Sequence, residues 1–533
     1  MAPSLDVSAQ AVCNNLLPTQ SLKDRMNSVA TPDAARARPA LLGLLAALLA
    51  VLFVLQLNAV PVAGNDLWLQ LKVGQLTVDN GAIPATLLFP FTSARDAAFH
   101  AHEWLSSVLF HEWVRAFGEG GLMPLQVLLA LAQFVLAFSL GRSLSGSRAV
   151  GLLMATLAML TINYRYILRP EMFALLLFVL QLRLMCRYRE NGRPGILLWT
   201  LPLAVAWANC HGSFLLGPVV AGLFALGEAI QAALAPWDAA QGSRLRRGWR
   251  AGAPYAAVAI GMLLASLVNP RGAALLSFAF DVQASQAMKS VIWEWLPTLS
   301  PQFTSEPPFW IFAAVGLVSL ALLVTNWRAL TVTDALLFLA FGALALQRNR
   351  HIVWFVFVDL AVCAHVIGRC AWATRAQAPA RVAVLVLALA GIGICARTGN
   401  VRGDFPYAAL SEDFTPAMTA QLADPALSGN VFTSYELGAE LVYRDWPRLK
   451  PSIDSRIDSY GDAYFIAHER MLSDEPALTD FLAAHGVNHM LLMRRDFGGI
   501  SRMPGIRAQW HVRSSDRKML LLERNVALPT PAS

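Results

Sequence analysis

The sequence predicts an α-helical polytopic membrane protein of about 11 transmembrane helices followed by a small exported α/β domain, and three observations carry that reading. Of the 533 residues, 56% are hydrophobic and only 14% charged, against roughly 25% charged in an ordinary soluble domain. The apolar residues form long continuous runs rather than alternating ones, and a bilayer crossing takes about 20 such residues per helix. After residue 399 the pattern changes to short aliphatic runs alternating with helical ones, as in "GNVFTSYELGAELVYR" and "ALTDFLAAHGVNHMLLM", which reads as a small α/β domain.

Eleven apolar runs lie near residues 40–62, 122–140, 149–164, 171–186, 195–210, 213–234, 253–269, 307–325, 330–347, 351–368 and 380–397. The pairs flanking Arg165–Glu171 and Asn209–Ser213 are separated by so little polar sequence that each also fits a single re-entrant element. The net charge of +7 does not imply a nucleic-acid partner, because the charges sort by loop. With the N-terminus in the cytoplasm, eighteen Lys and Arg before residue 397 fall in cytoplasmic segments and nine in the exported loops between runs, the asymmetry expected of a membrane protein. The chain accordingly divides into a disordered cytoplasmic N-terminus (1–39), a transmembrane helical domain (40–399) with a large exported loop (63–121), and an exported, periplasmic α/β domain (400–533). The first run follows about 39 polar residues, more than a signal peptide carries, and is read as a retained anchor.

Function classes narrow by what the motifs lack. The six cysteines show no CxxC and signal neither a disulfide framework nor a zinc site. There is no P-loop or GxGxxG, so nucleotide hydrolysis has no support.

In the exported loop, "HEWLSSVLFHEWVRAF" sets Trp104, Leu105, Val108, Leu109, Trp113 and Phe117 along one helical stripe, with Ser107, His111 and Arg115 on another. This is the pattern of a helix lying in the interface, its apolar side toward lipid or the bundle. Asp66, His102, Glu103, Arg165, Arg169, Glu171, Asn209, His211, Asn269, Arg271, Glu294, Arg348, Arg350 and His351 all fall on the exported side. Positive charge is depleted there, so arginines kept at helix ends call for an anionic partner.

Each residue also has a plainer reading. Asp66 suits the N-cap of a helix starting at Leu67. Arg165 and Arg169, four apart, share a helix face and also fit interfacial snorkelling. His211 sits with Asn209 where two runs meet at Gly212, and fits a satisfied buried histidine as well as a ligand. His100, His102 and His111 with Glu103 offer a divalent cation some ligands, although their spacing matches no metal signature. Arg348 and Arg350 in "QRNRH" are two residues apart, a costly placement unless they are solvated or face an anion such as phosphate. In "SIDSRIDSY", Asp454, Arg456, Asp458 and Tyr460 fit a loop that covers the site or binds an acceptor, or simply a salt-bridged loop.

The motifs "NDLWLQLKVGQ", "IP" (Ile83, Pro84), "HEWL", "RPE", "WANCHGSF", "NPRG", "EW", "RNRH" and "SIDSRIDSY", in this order, resemble a group of bacterial polytopic membrane proteins. The first exported loop, with an acid just after span one and interfacial helices behind it, resembles that of the type C membrane glycosyltransferases (GT-C), which include protein mannosyltransferases, oligosaccharyltransferases and the aminoarabinose transferases of lipid A. The resemblance implies that the acidic residue, here Asp66, is catalytic and that the sugar donor is a polyprenyl phosphate. The sequence departs from the common acidic pair, since Asn65 precedes Asp66.

The expected function is transfer of a sugar from a polyprenyl-phosphate donor to an exported glycan or lipid acceptor at a bacterial inner membrane. Asp66 is the expected catalytic base, and His102, Glu103, Arg165, Arg169, His211, Arg348, Arg350 and His351 are the expected substrate-binding residues. No metal ligand or cofactor is assigned, a divalent cation being left open. The expected partners are the lipid-linked donor, the acceptor and the bilayer, with no nucleic acid. A glycan polymerase or ligase, and a non-enzymatic envelope transporter or scaffold, remain as alternatives. Transport is disfavoured because mid-span polar residues are few: Gln133, Gln181, Asp334 and Asp359.

Overall fold

The computed structural model describes residues 42–52, 62–92, 94–236, 243–397, 411 and 413–528. The segment 1–39 and part of the first apolar run lie outside the described residues. Every run contains a helix. The first is α1 (Leu42–Leu52), and the long loop after the first run adds α2 (Asn65–Asn80) and α3 (Trp104–Phe117). The bundle continues with α4 (Leu122–Ser145), α5 (Arg148–Thr161), α6 (Glu171–Asn191), α7 (Thr200–Cys210), α8 (Leu216–Leu234) and α9 (Arg244–Ser266). It closes with α10 (Pro307–Thr325), α11 (Val332–Gln347), α12 (Ile352–Arg369) and α13 (Gln377–Arg397).

Among the described residues, five segments meet the length and apolarity of a bilayer crossing: Glu119–Ser145, Gly212–Leu234, Pro307–Thr325, Asn349–Arg369 and Gln377–Ile394. The described parts of α1, α5, α7 and α11 are shorter, while α6 and α9 carry several arginines at one end. Helix α12 is buried all round, every residue from Ile352 to Ala364 included, and forms the centre of the bundle. By contrast, α10 leaves Leu317, Val318 and Val324 exposed, as a lipid-facing helix does.

The mid-span polar residues have partners inside the protein, as the cost of burying them demands. Gln133 donates to the Met172 carbonyl at 2.9 Å, and Gln181 to that of Gly217 at 2.6 Å. Asp334 is not mid-span but in the first turn of α11, where it forms a capping box with Thr331 and pairs with Arg189 and His365, and Asp359 accepts from Ser319 at 2.8 Å.

In that loop, α2 begins at Asn65 with Gly64 as its N-cap, so Asp66 lies inside the first turn and is not the cap of a helix starting at Leu67. The stripe expected on α3 also differs. Its buried residues are Ser106, Ser107 and Phe110, while Leu109 and Phe117 are exposed. The reason is close packing against α2 at Gly74, where a Cβ would lie 2.1 Å from the Ser107 carbonyl oxygen. Only glycine admits that approach.

The tail forms the expected α/β unit, a five-stranded sheet of order β2-β1-β3-β5-β4. Its strands are β1 (Gly429–Thr433), β2 (Leu449–Pro451), β3 (His489–Met493), β4 (Trp510–Ser515) and β5 (Met519–Arg524). The first three pair parallel through helical crossovers and the last two antiparallel. Between β1 and β2, helix α14 (Gly438–Asp445) docks on α2. Tyr443 packs on Trp68 with ring centroids 5.1 Å apart, and the Arg444 guanidinium sits 4.7 Å over the same indole. One apolar cluster joins Leu69, Val73 and Phe89 of the loop to Val442, Ile453 and Phe465 of the tail.

That docking brings the tail loop 453–458 close to the loop helices, and Gly438 permits it. A Cβ there would lie 1.8 Å from the Ile453 carbonyl oxygen, a backbone atom that cannot give way. Gly438→Ala is therefore expected to destabilise the tail by about 1–3 kcal/mol and to speed its cleavage in limited proteolysis. An unchanged cleavage rate contradicts this packing.

Candidate functional site

One set of helix ends, the first long loop and the tail enclose one polar cavity of about 190 Å³. Seven of the nine expected site residues line it: Asp66, His102, Glu103, Arg165, Arg169, His211 and Arg350. Arg348 and His351 are not among its lining residues. Arg348 donates to the Trp295 carbonyl at 2.7 Å, and His351 is half-buried in the turn before α12. A cavity wall built from a one-turn 3₁₀ segment takes Arg350 and leaves its neighbours on other sides.

Local structure places each group. Asp66 and Gln70 are one turn apart on α2 and so share a face. Gln70 donates to Glu103 at 2.6 Å and accepts from the Ser107 hydroxyl. Arg165 ends the 163–165 turn, while Arg169 and Glu171 flank Pro170 at the start of α6. His211 is extended between α7 and the turn Gly212–Leu215. Asn65, where a second acid is common in the resembling group, donates instead to the Tyr435 carbonyl at 3.3 Å and ties α2 to the tail.

Most of the charges are paired. Arg165 contacts Glu171 at 2.5 Å and Glu294 at 2.7 Å, and Arg169 also donates to Glu294. From the tail, Arg456 holds Asp458 through two bonds of 2.8 and 2.9 Å and donates to the His100 carbonyl at 2.8 Å. Two groups stand apart. Among the described residues, no hydrogen bond or ion pair reaches the Asp66 carboxylate, and Arg350 has no carboxylate partner, its guanidinium lying 4.3 Å over the Trp295 ring.

The electrostatics follow from this layout. Burial pushes the Asp66 carboxyl above its ordinary range; Arg169 opposes the shift, and Glu294 and Glu103 add to it. Burial alone would also raise Glu103, but His102, His211 and Arg456 outweigh it and hold that carboxyl down to about 2. In the same way Arg165, Arg169 and Arg350 overcome the burial of Glu294 and hold it well below the carboxylate range. His211 is lowered by burial, with Glu103 opposing. One carboxylate is thus poised to take a proton while its neighbours stay ionised, the separation that acid–base sites use.

A divalent cation does not fit the side chains as placed. Among the described residues, no group of three or more His, Cys, Asp or Glu is arranged to hold one. The His102 and His211 Nε2 atoms lie 3.6 and 3.8 Å from the same Glu103 oxygen. The Ser213 amide donates to His211 Nδ1 at 3.1 Å, which leaves the hydrogen on Nε2 and its lone pair unavailable. Arg169 and Arg456 already set positive charge near Asp66.

Several members of the wall were not assigned to the site from sequence. Glu171 and Glu294 stood out as exported acids without visible partners, and Arg456 and Asp458 only as part of a covering loop. Gln70 carried a usable signal in its four-residue spacing from Asp66. Tyr435 and Ser455 carried none.

No protein-family profile matches the chain, and no curated protein matches it. Solved structures do. The archaeal oligosaccharyltransferase AglB from Archaeoglobus fulgidus, in complex with an inhibitory peptide and a dolichol-phosphate, aligns over 87% of this chain and 70% of its own, at TM-score 0.57 and 13% identity. An Archaeoglobus fulgidus oligosaccharyltransferase tethered to an acceptor peptide aligns over 84% and 68%, at TM-score 0.54 and 10% identity. A complex of that enzyme with Zn and sulfate aligns over 84% and 68%, at TM-score 0.50 and 10% identity. The chain shares its fold with these oligosaccharyltransferases, as the resemblance of its first long loop led us to expect, and at these identities the likeness is one of fold alone.

The raised Asp66 carboxyl has a consequence for stability. A group that binds its proton more tightly folded than unfolded stabilises the protein at low pH, and that contribution is lost as pH rises through the folded value. Asp66→Asn is therefore expected to melt no lower than the parent at pH 7, and higher by up to a few degrees. The difference disappears below about pH 4. A clearly lower midpoint at pH 7 contradicts an unpartnered, desolvated carboxylate.

Proposed function

We propose that the protein transfers a sugar from a polyprenyl-phosphate donor to a hydroxyl of an exported glycan or lipid acceptor. The observation that carries the reading is the pairing pattern of the cavity, where Asp66 and Arg350 make no salt bridge among the described residues. In the proposed reaction the acceptor oxygen attacks the anomeric carbon and its proton passes to Asp66. The bond from that carbon to the phosphate oxygen breaks, and its electron pair leaves with the phosphate. Arg350, with Arg169 beside it, stabilises that developing charge. Glu103, fixed by Gln70 and His102, and His211 orient the sugar or the acceptor. Arg165 holds Glu294 and Glu171, and so acts by positioning.

The fold shared with oligosaccharyltransferases supports this reading, and a neighbour bound to a dolichol-phosphate supports a lipid phosphate as donor. The charge asymmetry of the loops supports a cytoplasmic N-terminus, and in this reading residues 63–121 and 400–533 lie on the periplasmic side of a bacterial inner membrane.

The test is turnover by the purified full-length protein in lipid nanodiscs, with radiolabelled polyprenyl-phosphate hexoses as donors and released polyprenyl phosphate as readout. Asp66→Asn is expected to lower the rate by about 10²- to 10⁴-fold while donor binding persists. The parent's rate should fall on acidification at a higher pH than the roughly pH 4 of an ordinary carboxylate, because Asp66 must be ionised to accept the proton. An Asp66→Asn rate equal to the parent's rejects Asp66 as base. Loss confined to Arg350→Gln favours a glycan polymerase or ligase.

A further inference from the structure

Behind His102, which lines both, the Asp66 cavity has a neighbour of about 380 Å³, a size that accommodates a small ligand. Its wall includes Ile83, Pro84, Phe99, Trp104, Asn209 and Arg271. Motif residues that the Asp66 site leaves unused meet there: Ile83 and Pro84 of "IP", Asn209 of "WANCHGSF", and Asn269, Pro270 and Arg271 of "NPRG". Segments so far apart in the chain converge on a cavity other than the one already described.

The polar groups of this wall are nearly all committed. Trp104 donates to Asn209 Oδ1 at 2.7 Å, and the Asn209 amide donates to the Val205 and Val268 carbonyls at 2.8 Å each. Asn269 donates to the Ser266 and Gly272 carbonyls and accepts from the Arg271 backbone. The Arg271 side chain is the exception. Its Nη1 meets the His100 ring, its buried Nε has no partner, and among the described residues no carboxylate lies within ion-pair distance.

Arg165, Arg169 and Arg456 each have a carboxylate, so the two cavities hold one uncompensated guanidinium apiece, Arg350 in the first and Arg271 in the second. A planar guanidinium in a partly desolvated wall favours a phosphate or carboxylate on its fork. The remaining wall, with Ile83, Pro84, Phe99 and Leu275, suits apolar substance better than water.

We propose that this second cavity binds an anionic amphiphile, a phosphate or carboxylate on an apolar stem, with Arg271 on the anion. Its identification with the acceptor rests on the transferase reading above; binding as such does not. Under that reading the acceptor is an anionic lipid or glycolipid, and His102 stands between it and the donor.

The test is calorimetric titration of the full-length protein in neutral detergent with hexyl phosphate, and separately with inorganic phosphate. The parent is expected to show an Arg271-dependent and an Arg350-dependent site for hexyl phosphate. Arg271→Gln should weaken the first about tenfold or more and keep the second, which also reports that the variant is folded. Should Arg271→Gln lose both sites, Ala101→Leu decides on the same readout, since it narrows the cavity and keeps the arginine; it should weaken the Arg271 site alone. Inorganic phosphate should bind the Arg271 site about tenfold more weakly than hexyl phosphate, because it buries no stem. Hexyl phosphate binding unchanged in Arg271→Gln, or in Ala101→Leu where that variant decides, overturns the proposal. Equal affinity for inorganic phosphate at the Arg271 site overturns the amphiphile and leaves a free-phosphate site. These outcomes are independent of whether Asp66→Asn turns over donor.

Discussion

One carboxylate organises the face that holds the polar cavity. Glu294, on a short turn remote in sequence from the helices it joins, accepts from both Arg165 and Arg169 and feels the charge of Arg350. Glu171 completes the Arg165 pair from the first turn of α6. Burying this many charges is unfavourable unless each meets its opposite, and removing one partner from such a cluster costs about 3–5 kcal/mol. The segment between α5 and α6 and the turn Trp293–Trp295 are thereby fixed against one another, and these ion pairs form one wall of the cavity.

The same pairing gives the cavity its chemistry. Charges locked in pairs offer little to a reacting ligand, and the groups left over become the informative ones. Asp66, raised by burial and without a hydrogen bond among the described residues, is suited to accept a proton. Arg350, stacked on Trp295, is suited to meet an anion. The tail adds to this arrangement directly, since Tyr435, Ser455, Arg456 and Asp458 line the cavity and α14 holds them there through its packing on Trp68.

Much of the architecture was legible in the sequence because bilayer solvation leaves long apolar runs, and every one of them contains a helix. The concentration of polar residues on the exported side was legible for the same reason, and it picked out Asp66, Glu103, Arg165 and Arg169. Periodicity gives faces without partners, however. It put Ser107 on the side of α3 opposite the apolar stripe, but could not show that Gly74 would draw Ser107 against α2. Arg348 and Arg350 looked alike, and only the turn before α12 separates the one held by the Trp295 carbonyl from the one that lines the cavity. The contacts of Glu294 with Arg169 and of Arg456 with His100 span long stretches of chain, and nothing local encodes them.

The most direct measurement is a cryo-electron microscopy structure of the protein in nanodiscs with a polyprenyl phosphate bound. The account predicts phosphate density in the cavity walled by Asp66, Arg169 and Arg350, in contact with the Arg350 guanidinium. Phosphate bound outside that cavity, with Arg350 still stacked on Trp295 and out of contact, contradicts it.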